Sequence, residues 1–199
     1  NKGGGSYYTL DQISEIATVA KKYGLKMHLD GARFFNAIVE SNTKSMEYGQ
    51  YFDTISICLS KGLGAPVGSL LVGKKEYIKQ ARRVRKFMGG GMRQAGYLAA
   101  AGLYALENNI DRLKIDHKRA RALAEELSCQ NWVQSVIPVD TNIVIFTLNK
   151  EFTVNQVLDK LKSKGLLAVP FGANEIRIVT HLDFKEEHLD EAVSIIKKL

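Results

Sequence analysis

Asp53-Thr54-Ile55-Ser56-Ile57-Cys58-Leu59-Ser60-Lys61-Gly62-Leu63-Gly64-Ala65-Pro66-Val67-Gly68-Ser69 is the stretch on which the reading of this chain turns. Residues 54–59 are β-branched or apolar at every position but Ser56 and predict a strand. Three glycines and a proline then bend the chain around Lys61, and a second strand leaves from Ser69. Strand-end loops on an α/β scaffold are common places for catalytic groups. A lysine in a turn can also be merely solvated, so this segment leaves both readings open.

The segments upstream supply the rest of an α/β unit. Thr9 predicts an N-cap and Leu10–Tyr23 a helix, with Leu10, Ile13, Ile16, Ala17 and Ala20 on one face. Gly24 ends it, and Leu25–Leu29 predicts a short strand running into Asp30. A helix over 34–40, an irregular stretch over 45–52 and the strand at 54–59 follow. Downstream, 69–73 predicts a strand, about 75–85 a basic helix, Gly89-Gly90-Gly91 a break, and 93–107 an alanine-rich helix packed against its neighbours. A helix over about 111–127 predicts a crossing between domains. Strands at 141–148, 166–169 and 175–180, with helices at 154–164 and 186–199, predict a small α+β domain. The boundary is placed near residue 115, giving domains 1–115 and 116–199.

Composition narrows the function classes. A hydrophobic share of 45% with 25% charged residues belongs to an ordinary globular chain able to bury a core. The net charge of +7 raises a nucleic-acid or membrane surface. Much of the excess sits in Lys74–Lys86, which lacks a nucleic-acid module and interleaved aromatics, so a solvated helix face is the expectation. No apolar run approaches bilayer length. Cys58 and Cys129 have no metal-ligand spacing, and free thiols suit a reducing, cytoplasmic setting. The opening residues Asn1-Lys2-Gly3-Gly4-Gly5 read as a loop, and the expectation is a later part of a longer protein.

Asp30 ends one predicted strand and Lys61 follows the next. In a doubly wound sheet two such ends can meet at one carboxyl edge. The pair could be a structural salt bridge. It could equally be a pyridoxal phosphate site, with the lysine forming a Schiff base and the carboxylate pairing with the protonated ring nitrogen.

His28-Leu29-Asp30-Gly31-Ala32-Arg33, Ser60-Lys61-Gly62-Leu63-Gly64-Ala65-Pro66-Val67-Gly68-Ser69 and Gly89-Gly90-Gly91-Met92-Arg93-Gln94 together resemble the threonine aldolases. These are fold-type-I pyridoxal phosphate enzymes grouped with the β-eliminating lyases. Thr141-Asn142 and Arg177-Ile178-Val179-Thr180-His181 are similar to the family's C-terminal region. The resemblance implies an α/β fold: the later part of a large domain of the aspartate aminotransferase type, with a small C-terminal α+β domain.

The same resemblance implies roles. Lys61 would bind the cofactor aldehyde from a desolvated site with cationic neighbours. Asp30 would pair with the pyridinium and Ser60 would add a hydrogen bond. Arg33 and Arg177 would hold the substrate carboxylate through their guanidinium forks. Lys86 and Arg93 would approach the cofactor phosphate of a neighbouring subunit, which implies a homodimer or homotetramer. The implied reaction cleaves a β-hydroxy-α-amino acid, threonine or allo-threonine, to glycine and acetaldehyde. His28 shares strand parity with Asp30 and is expected to be packed or supporting. His117 and His188 are expected to be solvated, and His181 to cap the site. The family's N-terminal portion, with its ring-stacking group, main phosphate loop and candidate base, is not in these residues. The piece alone is therefore expected to be inactive, with exposed edges and apolar surface. A related β-eliminating amino-acid lyase, or a cofactor-free basic interaction module, remains an open alternative.

Overall fold

The computed structural model describes residues 3–199, so Asn1 and Lys2 of the opening loop lie outside the described residues. The elements are α1 (Leu10–Lys22), β1 (His28–Gly31), α2 (Phe34–Ser41), α3 (Ser45–Gly49), β2 (Thr54–Cys58), β3 (Ser69–Gly73), α4 (Lys75–Phe87), α5 (Gly96–Asn108), α6 (Leu113–Ser128), β4 (Val133–Val136), β5 (Ile143–Leu148), α7 (Val154–Ser163), β6 (Val169–Phe171), β7 (Glu175–Val179) and α8 (Glu186–Lys197). The chain forms two compact units. One is Tyr8–Asp111; the other is Arg112–Leu199 together with the residues up to Tyr7. The division thus falls four residues before the expected 115, and the described residues 3–7 group with the later unit. The helix expected to cross between domains lies wholly within that unit.

In the first unit, three strands run in the order β1-β2-β3. β1 and β2 are parallel, with Asp30 opposite Ser56, while β3 returns antiparallel. Strand alternation divides the β1–β2 faces. Leu29, Ile55 and Ile57 pack with Ile13, Phe34, Ile38 and Tyr48 from the helices. His28, Asp30, Thr54 and Ser56 occupy the opposite face. Thr9 caps α1 in a full capping box with Gln12, which satisfies amides that have no partner within the helix. Gly24 takes φ 65 behind it, where a side chain would be strained.

β1 starts three residues later than expected and contains Asp30. The Asp53 carboxylate accepts the Met27 amide at 2.9 Å, which sets where pairing begins. The stretch expected to be irregular contains α3, begun by the Glu47 carboxylate accepting the Lys44 amide at 2.6 Å. α5 departs furthest from expectation. Only Gly102 and Ala105 are buried on it, and Leu103, Tyr104 and Tyr97 are exposed. Alanine-rich sequence gives helix propensity without dictating how much of the helix is covered. The basic α4 has no buried residue, as a solvated face requires.

The second unit holds an antiparallel sheet in the order β4-β5-β7-β6. The fully buried Val144, Phe146, Leu148 and Ile176 meet α6, α7 and α8 in one core. β4 was absent from the sequence reading, and β6 lies three residues beyond its expected start. Thr153 and Gln156 repeat the capping box at α7. His117, expected to be solvated, is 0% exposed beside the equally buried Asp116, whose carboxylate pairs with Arg112 one helical turn away. Burial pushes the Asp116 carboxyl above its ordinary value, with Arg112 opposing the shift. Among the described residues no helix is long and apolar enough to cross a membrane.

Candidate active site

β1 and β2 are adjacent and parallel, so their carboxyl ends open at one edge. Asp30 is the penultimate residue of β1, on the face opposite the apolar core, and is exposed. Gly31 behind it has a steric task. A Cβ there would stand 2.7 Å from the Ser56 carbonyl oxygen and 3.1 Å from the Phe34 Cβ. Only glycine lets β1 approach β2 that closely at the position after the aspartate. Arg33 follows as the N-cap of α2 and is half-buried.

Lys61 stands in the loop that leaves β2. The Leu59 amide donates to the Gly68 carbonyl at 3.0 Å, closing the loop's base. Within it, Ala65 N–H donates to Leu59 O at 3.0 Å and Gly64 N–H to Lys61 O at 2.9 Å, with Gly64 at φ 73. Leu59, Leu63 and Ala65 are buried, while Ser60 and Lys61 are exposed. Lys61 is therefore not desolvated by these residues as expected: the apolar groups that anchor the loop lie on either side of it and leave its own side chain outside. The alternative of a structural salt bridge is absent as well. Among the described residues neither Asp30 nor Lys61 takes part in an ion pair.

The remaining candidates separate. Lys86 is exposed on the last turn of α4. Gly89 (φ 83) and Gly90 fold the chain back, with Gly90 N–H donating to Arg85 O at 2.8 Å, and the exposed Arg93 follows. His28 is exposed, not packed; its Nδ1 lies 2.8 Å from the Thr54 hydroxyl across the β1–β2 register. In the second unit Arg177 is half-buried on β7 with its guanidinium 5.7 Å from the Phe171 ring centre. Its Nε is buried and makes no hydrogen bond among the described residues. His181 is exposed, with its Nδ1 3.3 Å from the donating Asp183 amide. His188 is exposed, with its Nδ1 near Lys185 N–H and Asp183 O. The sequence reading missed Asn109, whose side-chain amide donates to Leu63 O at 2.8 Å inside the lysine loop. An asparagine ending an alanine-rich helix carries no local signal for that contact.

Comparison with known proteins bears on the family and the fold. Residues 1–151 match the model of the beta-eliminating lyase family. The chain belongs to that family. It is 42% identical over 196 residues to the low specificity L-threonine aldolase of Escherichia coli (strain K12), covering 98% of this chain and 57% of that protein. The chain thus spans about half the length of the curated relatives it matches. Its fold matches the solved Leishmania major threonine aldolase with a TM-score of 0.79 at 20% identity, over 98% of this chain and 58% of that one. The Plasmodium falciparum ornithine delta-aminotransferase follows at a TM-score of 0.68 and 17% identity, over 99% and 52%. The fold is the α/β fold shared by these aldolases and aminotransferases.

Proposed function

We propose that this chain is the lysine-bearing part of a pyridoxal phosphate-dependent aldehyde-lyase that cleaves threonine or allo-threonine to glycine and acetaldehyde. The observation that carries the reading is the placement of Asp30 and Lys61 at one edge of two parallel strands, both exposed and neither engaged in an ion pair. A carboxylate and an amine kept apart at a sheet edge fit a pyridine nitrogen and an aldehyde. A structural salt bridge would have joined them. Names and sequence identity of the relatives support the substrate class.

When bound, the cofactor supplies an electron sink for the carbanion left at Cα. The protein's own residues do the rest. Lys61 would hold the aldehyde, and the charge of Asp30 would keep a proton on the ring nitrogen. Ser60 would offer a hydroxyl to the cofactor. Arg33 is assigned to the substrate carboxylate; Arg177 of the other unit has the chemistry for a carboxylate, because its half-buried fork is backed by Phe171 and retains an unused donor. Lys86 and Arg93 are assigned to a phosphate dianion in a neighbouring subunit, within a homodimer or homotetramer. The apolar residues Phe87, Met88, Met92 and Tyr97, all exposed around these two cations, support a covered face. The free cysteines Cys58 and Cys129 suit a reducing cytoplasm.

The test is an absorbance spectrum of the whole protein before and after borohydride reduction, with mapping of the labelled lysine. A visible band that reduces onto Lys61 is expected. No band, or a label on another lysine, would overturn the reading. Assays on threonine, allo-threonine and β-substituted alanines would separate the aldolase from a β-eliminating lyase.

A further inference from the structure

Lys61 is flanked symmetrically by two contacts with a single helix. Two residues before it, Leu59 meets α5 at Gly102, where an added Cβ would lie 3.1 Å from Leu59 Cδ1. Two residues after it, the Leu63 carbonyl accepts the Asn109 side-chain amide at 2.8 Å. Gly102, Ala105 and Asn109 share one face of the helix by their three- and four-residue spacing, and Gly102 and Ala105 are the residues buried on α5. The Asn109 amide N–H donates to Ala105 O at 3.0 Å, so its backbone is fixed to the end of the helix. The one narrow covered face of an otherwise exposed helix is therefore the face that grips the lysine loop.

We infer that Asn109 is a positioning residue for Lys61, and that the Gly102–Asn109 face of α5 sets where the Lys61 amine stands. The inference rests on the assignment of Lys61 as the cofactor-holding lysine. A turn that carries Gly62, Gly64 and Gly68 after Lys61 has several backbone conformations open to it. Leu59 on Gly102 fixes one side of the turn and the Leu63 carbonyl bond fixes the other. Asn109 touches neither substrate nor cofactor in this role. It acts through the backbone of Leu63.

The experiment uses the whole protein as purified with its cofactor and compares wild type, Asn109→Ala, Asn109→Gln and Gly102→Ala with Gly102→Ala/Leu59→Val. The readouts are the pH midpoint of the visible band of the Lys61-bound cofactor, kcat and KM for threonine, and Tm. Asn109→Ala is expected to move the midpoint by about half a pH unit or more. It should lower kcat about tenfold while KM changes less than about threefold, because a misplaced reactive group loses rate more than binding. Asn109→Gln, which keeps the donor, should restore most of both. Gly102→Ala should reproduce the midpoint shift, and Leu59→Val should reverse it by clearing the crowded methyl; this pair decides the matter if Asn109→Ala fails to fold. An unchanged midpoint and kcat in Asn109→Ala, or a lowered Tm with the midpoint unchanged, would overturn the inference while leaving Lys61 in place. A wild-type protein without a Lys61 band would overturn the underlying assignment, and this inference with it.

Discussion

Asp30 and Lys61 lie at the carboxyl ends of two hydrogen-bonded parallel strands, and neither is neutralised by an ion pair among the described residues. If the two charges have the separate duties proposed, their removal has separate signatures. Lys61→Ala in the whole protein should lower kcat/KM for threonine by more than about a thousandfold, the order seen when a covalent group is removed. Asp30→Asn keeps the shape and loses the charge; a drop of about a hundredfold, with a visible band retained, is expected. Steady-state kinetics and spectra of both variants check this, and an Asp30→Asn enzyme of wild-type activity would remove the aspartate from the site.

Gly31 supplies a prediction about shape, not charge. Gly31→Ala drives a methyl against the Ser56 carbonyl, which belongs to the strand ladder and cannot swing aside. The variant should lose about 1–3 kcal/mol of stability. It should lose more activity than Gly24→Ala, where nothing lies within 4 Å of the added Cβ and the cost is confined to a positive φ. Urea titration and kinetics of the two variants make the comparison; equal activities would mean that the β1–β2 approach has no bearing on Asp30.

The sequence made one half of the site legible and hid the other. Asp30, Lys61 and their neighbours could be picked out as candidates because strand periodicity, glycines and turn residues are local signals, although the bounds of β1 shifted with the Asp53–Met27 hydrogen bond. Asn109 was invisible because its contact with Leu63 spans 46 positions and depends on how α5 packs. His117 failed for a related reason. It lies among charges along the chain, yet the helix turns it and Asp116 into the interior, where Thr180 Oγ1 also donates to Asp116 O at 2.7 Å. The coverage of α5 was misjudged because alanine content encodes helix formation and says nothing about which face meets a neighbour.

Asp116 and Arg112 make that interior testable. The native carboxyl is raised above its ordinary value of 3.8 by burial. The folded state therefore holds its proton more tightly than the unfolded state does. This contribution to stability is fully present below 3.8 and is lost as pH rises through the raised native value. Asp116→Asn should abolish that loss and flatten the urea midpoint across the range. Arg112→Ala, which strands a buried carboxylate, should cost about 3–5 kcal/mol at neutral pH. If Arg112→Ala proves no worse than Asp116→Asn, the pair does not stabilise this helix.

Asp53 works with the opposite sign. Its carboxylate accepts the Met27 amide at 2.9 Å and lies 3.6 Å from Lys26 Nζ and 3.9 Å from Lys74 Nζ. The Met27 hydrogen bond is the largest cause that holds its carboxyl below the ordinary 3.8, and the two lysines add to it. The unfolded chain therefore binds this proton first. The stabilisation is present above 3.8 and disappears as pH falls through the lowered native value. Because Asp53 ties the entry of β1 to the start of β2 and the exit of β3, Asp53→Asn should lower stability at pH 7 and remove this share of the acid loss. Urea midpoints of wild type and variant should thus converge as the pH is lowered past 3.8. Parallel curves with a constant offset at every pH would show that Asp53 supports the sheet by shape alone, without its charge.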